Sequence, residues 1–397
     1  MTLVVAALGY FVDIFDLTLF SIVRIPSLAS LGVSPDDSLA VGAHILNLQQ
    51  AGLLIGGIGW GMLGDRKGRV EVLFGSILLY SLATIASGLA TSIPAYGACR
   101  FAAGLGLAAE LGAAITLVGE SLPANSRSWG TALVGATGLL GAVAAALIST
   151  NLAWRTCYFL GGCLGLALLL GRFSVRESGV FQAFSKNKGI RRGDLLLLFS
   201  TPRRALRYIL CVAAGLPICA SIGILVYFSP ELARTAGVTG PVSAGTAIMF
   251  AYIGMSIGDI SCAALSQKMK SRRASAALFI ITLGGIAAAF ATIHSPSPRH
   301  VYLWCGALGI ASGYWIILIT SASEQFGTNL RATVTTSVPN IVRGLNGPLA
   351  LVFAGLAASL GAPRAALTLA GICFLAGLVA ISALKETFGK DLNFTEK

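Results

Sequence analysis

The sequence predicts an all-α integral membrane protein with twelve transmembrane helices in two six-helix halves. Three observations support this prediction: the chain is strongly apolar, its apolar residues fall into twelve runs, and two motifs recur at nearly the same offset. Of the 397 residues, 55% are hydrophobic and 11% are charged, and the mean hydropathy is +0.82. Soluble domains average about 25% charged residues, so the composition excludes an ordinary soluble enzyme, a disordered chain and a nucleic-acid-binding protein.

The twelve runs follow one another along the whole chain. A transmembrane helix needs about 20 predominantly apolar residues, and runs of that kind lie near 3–25, 40–62, 71–92, 95–118, 129–150, 155–172, 207–228, 243–265, 274–293, 301–322, 335–358 and 364–384. The longest polar stretch runs from Arg172 to Arg207 and divides them six and six. We therefore expect a first half over 1–172, a cytoplasmic linker over 173–206, and a second half over 207–397 with a short cytoplasmic tail.

The basic residues predict the orientation of the chain. With a cytoplasmic N-terminus, twenty-one of the 28 Lys and Arg residues fall on the cytoplasmic side and four on the other. Cytoplasmic loops carry such an excess, so we expect a multi-pass protein of the cell membrane, the bacterial inner membrane, with both termini in the cytoplasm. The net charge of +12 then needs no nucleic acid, and the lipid bilayer is the expected partner.

Several features argue against an enzyme or a cofactor. The eight cysteines lie in apolar stretches without CxxC spacing, so neither a metal nor a disulfide is expected. The sequence shows no nucleophile–base arrangement, which speaks against an enzyme. It also shows no P-loop, which speaks against direct use of ATP. The loops are too short for the sensory domain of a receptor. The first run carries Asp13 and Asp16 and leads to no cleavage site, so no signal peptide is expected.

Two motifs recur in the second half. Glu120-Ser-Leu-Pro-Ala-Asn-Ser-Arg127 returns as Glu324-Gln-Phe-Gly-Thr-Asn-Leu-Arg331, and the segment 61–69 has a decayed counterpart in 263–271. Internal repeats of this kind are typical of transporters whose binding site lies near the midplane between the halves. We therefore expect a secondary transporter that works by alternating access on a small-molecule substrate.

The loop after the second run carries a family resemblance. Gly61-x-x-x-Asp65-Arg66-x-Gly68-Arg69 resembles the signature loop of the major facilitator superfamily. Three other segments resemble the metabolite:proton, sialate/lactate and phosphate:proton symporters. The first run resembles their first helix in Gly9-Tyr-Phe-Val-Asp13-Ile-Phe-Asp16, and the fourth run resembles their fourth helix in Arg100-Phe101-x-x-Gly104-x-Gly106-x-x-x-Glu110. The segment Arg176-Glu177-Ser178 resembles the sequence after their sixth helix. The second signature loop has Gln267 and Lys270 in place of Asp and Gly, so a symmetric cytoplasmic latch is not expected.

The resemblance implies a cytoplasmic gate of charged residues that tie the halves together when the transporter faces outward. These are Asp65, Arg66, Arg69, Glu120, Arg127, Glu177, Glu324 and Arg331. The alternative is a set of solvated loop charges, which contribute about 0–1 kcal/mol per exposed pair. The repeated Glu-to-Arg spacing favours the gate.

Ionisable residues inside the runs are the candidates for the transport site, because a charge at the bilayer centre costs about 2.5–3.5 kcal/mol on insertion scales. Asp13 and Asp16 share a helix face near the midplane, and with Glu110 they are the expected proton-coupling residues. The expected substrate-binding residues are Arg100, Arg343, Asn340, Asn346, Gln49 and Gln50. Asp259 is a further candidate, whereas Arg24 is expected to extend to the headgroups. The alternative for each is a static ion pair or a contact between helices.

The expected function is proton-coupled symport of a small anionic metabolite, a carboxylate or a phosphate. Membrane arginines can hold the anion while membrane carboxylates carry protons. The alternative is a proton-coupled exporter of drug-like or zwitterionic compounds, because Gly135, Gly138 and Gly141 loosely resemble a glycine stripe of antiporters. Sodium is left open as the coupling ion, and the protein is expected to act as a monomer.

Overall fold

The computed structural model describes residues 2–34, 37–172, 193–290, 297–390, 392 and 394–396. Eleven helical stretches of these residues are long and apolar enough to cross a membrane. The remaining predicted run is the 30-residue helix Ser38–Lys67. At 1.5 Å per residue it extends about 45 Å, which exceeds the roughly 30 Å hydrocarbon core of a bilayer. The prediction of a twelve-helix fold is confirmed.

We number the twelve spans in chain order. Spans 1–6 are Thr2–Ser30, Ser38–Lys67, Arg69–Leu89, Ile93–Ser121, Ala124–Ser149 and Trp154–Arg172. Spans 7–12 are Pro202–Val226, Ala244–Met269, Arg272–Phe290, Pro298–Gln325, Arg331–Leu360 and Ala362–Ala383. Short helices Leu195–Phe199 and Ser229–Thr235 precede and follow span 7. Most of the predicted linker lies outside the described residues, so the predicted domain bounds stay a prediction.

Four spans are interrupted near the centre of the bundle. Span 4 breaks at Ala108 and Ala109, span 10 breaks at the equivalent Gly313 and Tyr314, and span 7 passes into a π-helix at Cys219–Val226. Span 11 divides at Leu345, whereas Pro339 lies inside the helix Arg331–Gly344. Pro348 is in the first turn of the next helix, where a missing N–H costs no intrahelical bond.

Glycines allow close helix packing within and between the halves. On span 2, Gly52 and Gly56 lie against the backbone of span 4, while Gly57 and Gly61 face Asn340 and Thr333 of span 11. A side chain at any of these positions would collide with the neighbouring helix. Span 2 against span 11 and span 5 against span 8 are the main contacts between the halves.

The two ends of the bundle differ. At one end, which we call the basic end, charged residues from the loops after spans 2, 4, 8 and 10 meet and join the halves. At the opposite end, which we call the open end, a cavity of about 1090 Å³ separates the halves. The substrate pathway is therefore closed at one end only.

Candidate functional site

The large cavity at the open end, which we call the vestibule, is lined by residues of both halves. They include Arg24 and Gln50 of the first half and Tyr227 and Asn346 of the second. Arg24 was expected to reach the headgroups, but its side chain faces this cavity instead. The reason is local: its stem lies against Gly42, which has no side chain to block that path.

A small inner pocket of about 80 Å³ continues from the vestibule. The two cavities share Ser21, Leu46, Gln50, Tyr227 and Asn346. Aromatic side chains from both halves also line the inner pocket: Tyr10 on span 1, Tyr252 on span 8 and Trp315 on span 10. Among the described lining residues, Arg343 alone carries a charge.

Arg343 is held in the pocket by aromatic side chains. Its Nη2 donates to Tyr10 Oη at 3.2 Å, and its guanidinium carbon lies 5.8 Å from the centre of the Trp315 ring. It forms no ion pair with a carboxylate of the described residues. A guanidinium has five N–H donors, so Arg343 retains donors for an anion.

Asp13 lies near Arg343 but does not bond to it. The Asp13 side chain is buried, and neither carboxylate oxygen has a hydrogen-bond partner among the described residues. Arg343, Glu110 and Asp16 are the charged residues near it. An isolated charge at this position would be costly to bury.

Asp16 and Arg100 form a different, fully bonded cluster. Arg100 Nη1 lies 3.2 Å from Asp16 Oδ1, and Gln49 Oε1 accepts from Arg100 Nε and Nη2 at 3.2 and 3.1 Å. Thr84 donates to the second Asp16 oxygen at 2.5 Å, and the Tyr158 ring covers the guanidinium at 5.3 Å. Arg100 and Gln49 line neither cavity, so only a rearrangement of this cluster would bring them to a substrate.

Some of the other candidate residues line the two cavities, whereas the rest are buried among the helices. Gln50 and Asn346 line both cavities. Asn340 instead donates to the carbonyls of Ala108 at 2.8 Å and Thr336 at 2.7 Å, which places it between the halves. Asp259 is buried and accepts from the Ile316 amide at 3.2 Å, so it caps the second helix of span 10. Glu110 is buried at the start of the second helix of span 4.

The gate residues bond crosswise between the halves. Arg127 lies 3.1 Å from Glu324, and Arg331 lies 2.9 Å from Glu120. Each repeated motif therefore pairs with its copy in the other half, and Arg69 also contacts Glu120 at 3.0 Å. These side chains are almost completely buried, so they are not the solvated loop charges of the alternative interpretation.

Asp65 joins the halves through the backbone. Its carboxylate accepts from the amides of Ala332 at 2.9 Å and Thr333 at 2.8 Å, and from the Thr333 hydroxyl at 2.7 Å. An acidic residue of the first half thus caps the N-terminus of span 11 in the second half. Arg66 donates to the Gly193 carbonyl at 3.1 Å, and Glu177 lies outside the described residues.

The sequence profile of the Major Facilitator Superfamily matches residues 6–350. The chain belongs to this superfamily. It is therefore a multi-pass membrane transporter of small molecules rather than an enzyme, and the predicted family resemblance is confirmed.

Relatives of this facilitator are named for organic acids. The chain is 29% identical to the 3-(3-hydroxy-phenyl)propionate transporter of Escherichia coli over 75% of this chain and 73% of that protein. It is 27% identical to the cis,cis-muconate transport protein of Acinetobacter baylyi, over 96% and 93% of the two chains. It is 25% identical to the putative niacin/nicotinamide transporter NiaP of Bacillus subtilis, over 87% and 86%.

Solved structures share the fold at low sequence identity. The proton:xylose symporter XylE superposes with a TM-score of 0.74 at 16% identity, covering 99% of this chain and 97% of that one. The human organic anion transporter MFSD10 superposes with a TM-score of 0.77 at 15% identity, covering 96% and 98%. These likenesses establish the architecture of the facilitator and nothing about its substrate.

The charged cluster at the basic end contains a residue that the sequence analysis missed. Arg272 contacts Glu324 at 2.5 and 2.7 Å and also bonds to Ser128 of the other half. Its contact matches that of Arg69 with Glu120, although the repeat aligns Arg69 with Ser271, one residue earlier. The contacts of the two halves are therefore more symmetric than expected: the second signature loop has lost its Asp and Gly, but an arginine directly after it makes the equivalent contact. The signal was available, because Arg272 directly follows the segment 263–271.

The C-terminal tail, residues 384–396 as far as described, lies across the basic end. The Leu392 carbonyl accepts from Arg331 at 2.7 Å, and Lys390 donates to the Glu324 carbonyl at 3.0 Å. Glu396 accepts from Arg204 at 3.3 Å and Arg207 at 2.9 Å, next to the start of span 7. The tail therefore contacts an arginine and a glutamate of the crossed pairs.

Glu386 anchors the tail to the loop after span 8. Burial of its carboxyl raises the pKa, but hydrogen bonds from the Ser271 hydroxyl and from the amides of Phe388, Arg272 and Thr387 outweigh burial and hold the pKa below the usual 4.5. The bonded form is thus the carboxylate. This anchor is complete at neutral pH.

Proposed function

We propose that this protein is a secondary active transporter that couples symport of a small organic carboxylate to protons by alternating access. The observation that carries the proposal is the pair of Arg343 and Asp13. Arg343 is the one charged residue among the described lining of the inner pocket, and the nearby Asp13 carboxyl has no hydrogen-bond partner among the described residues. An arginine binds a carboxylate through two parallel N–H···O bonds, and a buried carboxyl can carry the proton.

The pocket favours a carboxylate with a flat apolar body over a phosphate. Rings of Tyr10, Tyr227, Tyr252 and Trp315 surround the arginine, and aromatic faces pack well against planar groups. The names of the relatives, hydroxyphenylpropionate, muconate and niacin, support the same class of substrate. Export has no comparable support, because Gly138 and Gly141 make room for Tyr10 and Phe11 of span 1.

We further propose that the basic end faces the cytoplasm, because cytoplasmic loops carry the excess of Lys and Arg. The structure then corresponds to the outward-open state of a monomer in the cell membrane, with both termini inside. Opening inward would break the crossed pairs of Glu120 and Glu324, which belong to only one of the two states.

Binding measurements on Arg343 variants test the anion site. Isothermal titration would use nicotinate, 3-(3-hydroxyphenyl)propionate and cis,cis-muconate as probes. Arg343→Gln should weaken binding by about 2–5 kcal/mol, the range for removing one partner of a buried charge pair. Arg343→Lys should restore binding only partly, because lysine lacks the bidentate fork. Arg234→Gln, an exposed arginine near the open end, is the matched control. Wild-type affinity in Arg343→Gln would refute the anion site.

Transport measurements on the aspartates test the coupling. In proteoliposomes, Asp13→Asn should abolish substrate-driven alkalinisation and retain substrate counterflow, because asparagine keeps the shape and loses the proton. Asp16→Asn should also impair counterflow, because it breaks the cluster around Arg100. If both single variants and the double variant moved protons like wild type, the proton-carrier role would be wrong.

A further inference from the structure

Arg24 is the charged residue among the described lining of the vestibule, and the proposed function does not use it. We propose that Arg24 forms an outer anion site, where the substrate carboxylate binds before it moves inward to Arg343. This inference rests on the proposed function, because it takes the substrate to be an organic anion. It adds a second binding step to the same pathway.

The two arginines lie at different depths of one pathway. Arg24 follows Tyr10, the partner of Arg343, by fourteen residues on span 1, which corresponds to about 21 Å along the helix axis. The shared lining residues, which include Gln50 and Asn346, connect the two cavities between them. A small anion would therefore meet Arg24 first and Arg343 second.

Both charged residues in the described lining of the pathway are positive. The charged residues among the described lining of the vestibule and the inner pocket are Arg24 and Arg343, and no acidic residue is among them. A cavity lined by one sign of charge with apolar walls concentrates the field and attracts counter-ions. The pathway thus attracts anions and repels cations before any contact with Arg343.

The Arg24 side chain also retains binding capacity. Its Nε is buried and has no acceptor among the described residues. Its aliphatic stem lies against Gly42, which holds the guanidinium against the wall of the cavity. The guanidinium forms no ion pair with a carboxylate of the described residues, so a carboxylate that enters the vestibule can pair with it.

The outer site should differ from the inner one in chemistry. Because the vestibule is wide, a carboxylate bound at Arg24 stays hydrated. Its binding then depends more on the positive charge of Arg24 than on the two parallel N–H donors of the guanidinium. Lysine should therefore replace Arg24 well, although it replaces Arg343 poorly. The outer site should also act on the association rate, because long-range attraction steers the encounter.

Stopped-flow tryptophan fluorescence would test the outer site, because Trp154 lines the vestibule and Trp315 the inner pocket. The probe is nicotinate, with nicotinamide as its uncharged counterpart. At low ionic strength, Arg24→Gln should slow nicotinate association about tenfold, leave dissociation nearly unchanged and remove most of the salt dependence. Arg24→Lys should associate almost like wild type. Nicotinamide association should be the same in all variants, and Arg234→Gln is the control.

The outcomes separate the two proposals. If nicotinate and the other two carboxylates do not bind to the wild type, both proposals fall. If one of them binds and Arg343→Gln weakens it, but Arg24→Gln associates as fast as Arg234→Gln at low salt, the outer site alone is refuted. A transport KM that rises in Arg24→Gln at unchanged kcat would be a second, independent confirmation.

Discussion

Asp65→Asn is the sharpest perturbation of the closed basic end. Asp65 accepts from the amides of Ala332 and Thr333, the second and third residues of span 11, and from the Thr333 hydroxyl across the boundary between the halves. Asparagine keeps the size of the side chain but replaces one acceptor oxygen by a donor that faces a backbone N–H. It also removes the negative charge from the positive end of the helix.

The expected cost follows from these contacts. A charge at a helix N-terminus contributes about 0.3–1 kcal/mol, up to about 2 when partly buried, and a hydrogen bond to a charged group about 1.5–3 kcal/mol. Asn can still accept one bond, and Arg69, 3.6 Å from Asp65, keeps Glu120 as partner. We therefore expect a loss of about 2 kcal/mol. Because the contact exists only when the basic end is closed, this loss shifts the equilibrium towards the inward-facing state about 30-fold.

Distances between spin labels would measure this shift. Labels at Ser121→Cys and Lys268→Cys, both exposed at the basic end, report the separation of the halves after Cys99 and Cys163 are replaced by serine. Asp65→Asn should add or enlarge a long-distance population. Asp37→Asn is the control, because Asp37 is exposed and, among the described residues, its carboxylate accepts only from the hydroxyl of Ser34 in its own half. A folded Asp65→Asn protein with the wild-type distance distribution would refute the capping argument.

Three further predictions concern the same end. Glu120→Gln and Glu324→Gln should each destabilise the closed state by about 3–5 kcal/mol, because each carboxylate neutralises two buried guanidinium groups; a thermal unfolding shift no larger than that of Asp37→Asn would contradict this. Removal of residues 388–397 should enlarge the long-distance population of the spin pair; an unchanged distribution would show that the tail plays no part in closure. Because the pKa of Glu386 is lowered, its contribution to tail docking is present at neutral pH and lost as the pH falls below the usual 4.5. A spin label on the tail should become mobile at that low pH, and Glu386→Gln should be mobile already at pH 7.

The sequence by itself determined the spans, their number and the class of protein. These features depend on local hydropathy and on motifs repeated between halves, and a bilayer imposes the same length on every span. The Glu120 and Glu324 motifs were recognisable because one repeats the other in the second half. The candidates among the buried charges were also recognisable, because any ionisable residue inside a span stands out.

The tertiary structure alone decided which of these charges pair. Asp16 is paired with Arg100 while its helix neighbour Asp13 has no hydrogen-bond partner among the described residues, and Arg343 reaches the pocket while Asn340 is used in packing. Sequence spacing gives positions along one helix but not the rotation of that helix against the others. The breaks in spans 4, 10 and 11 change that rotation midway, and each partner comes from a helix distant in the chain. Small local causes, such as the missing side chain of Gly42 beside Arg24, then determine whether a charge faces lipid or the substrate pathway.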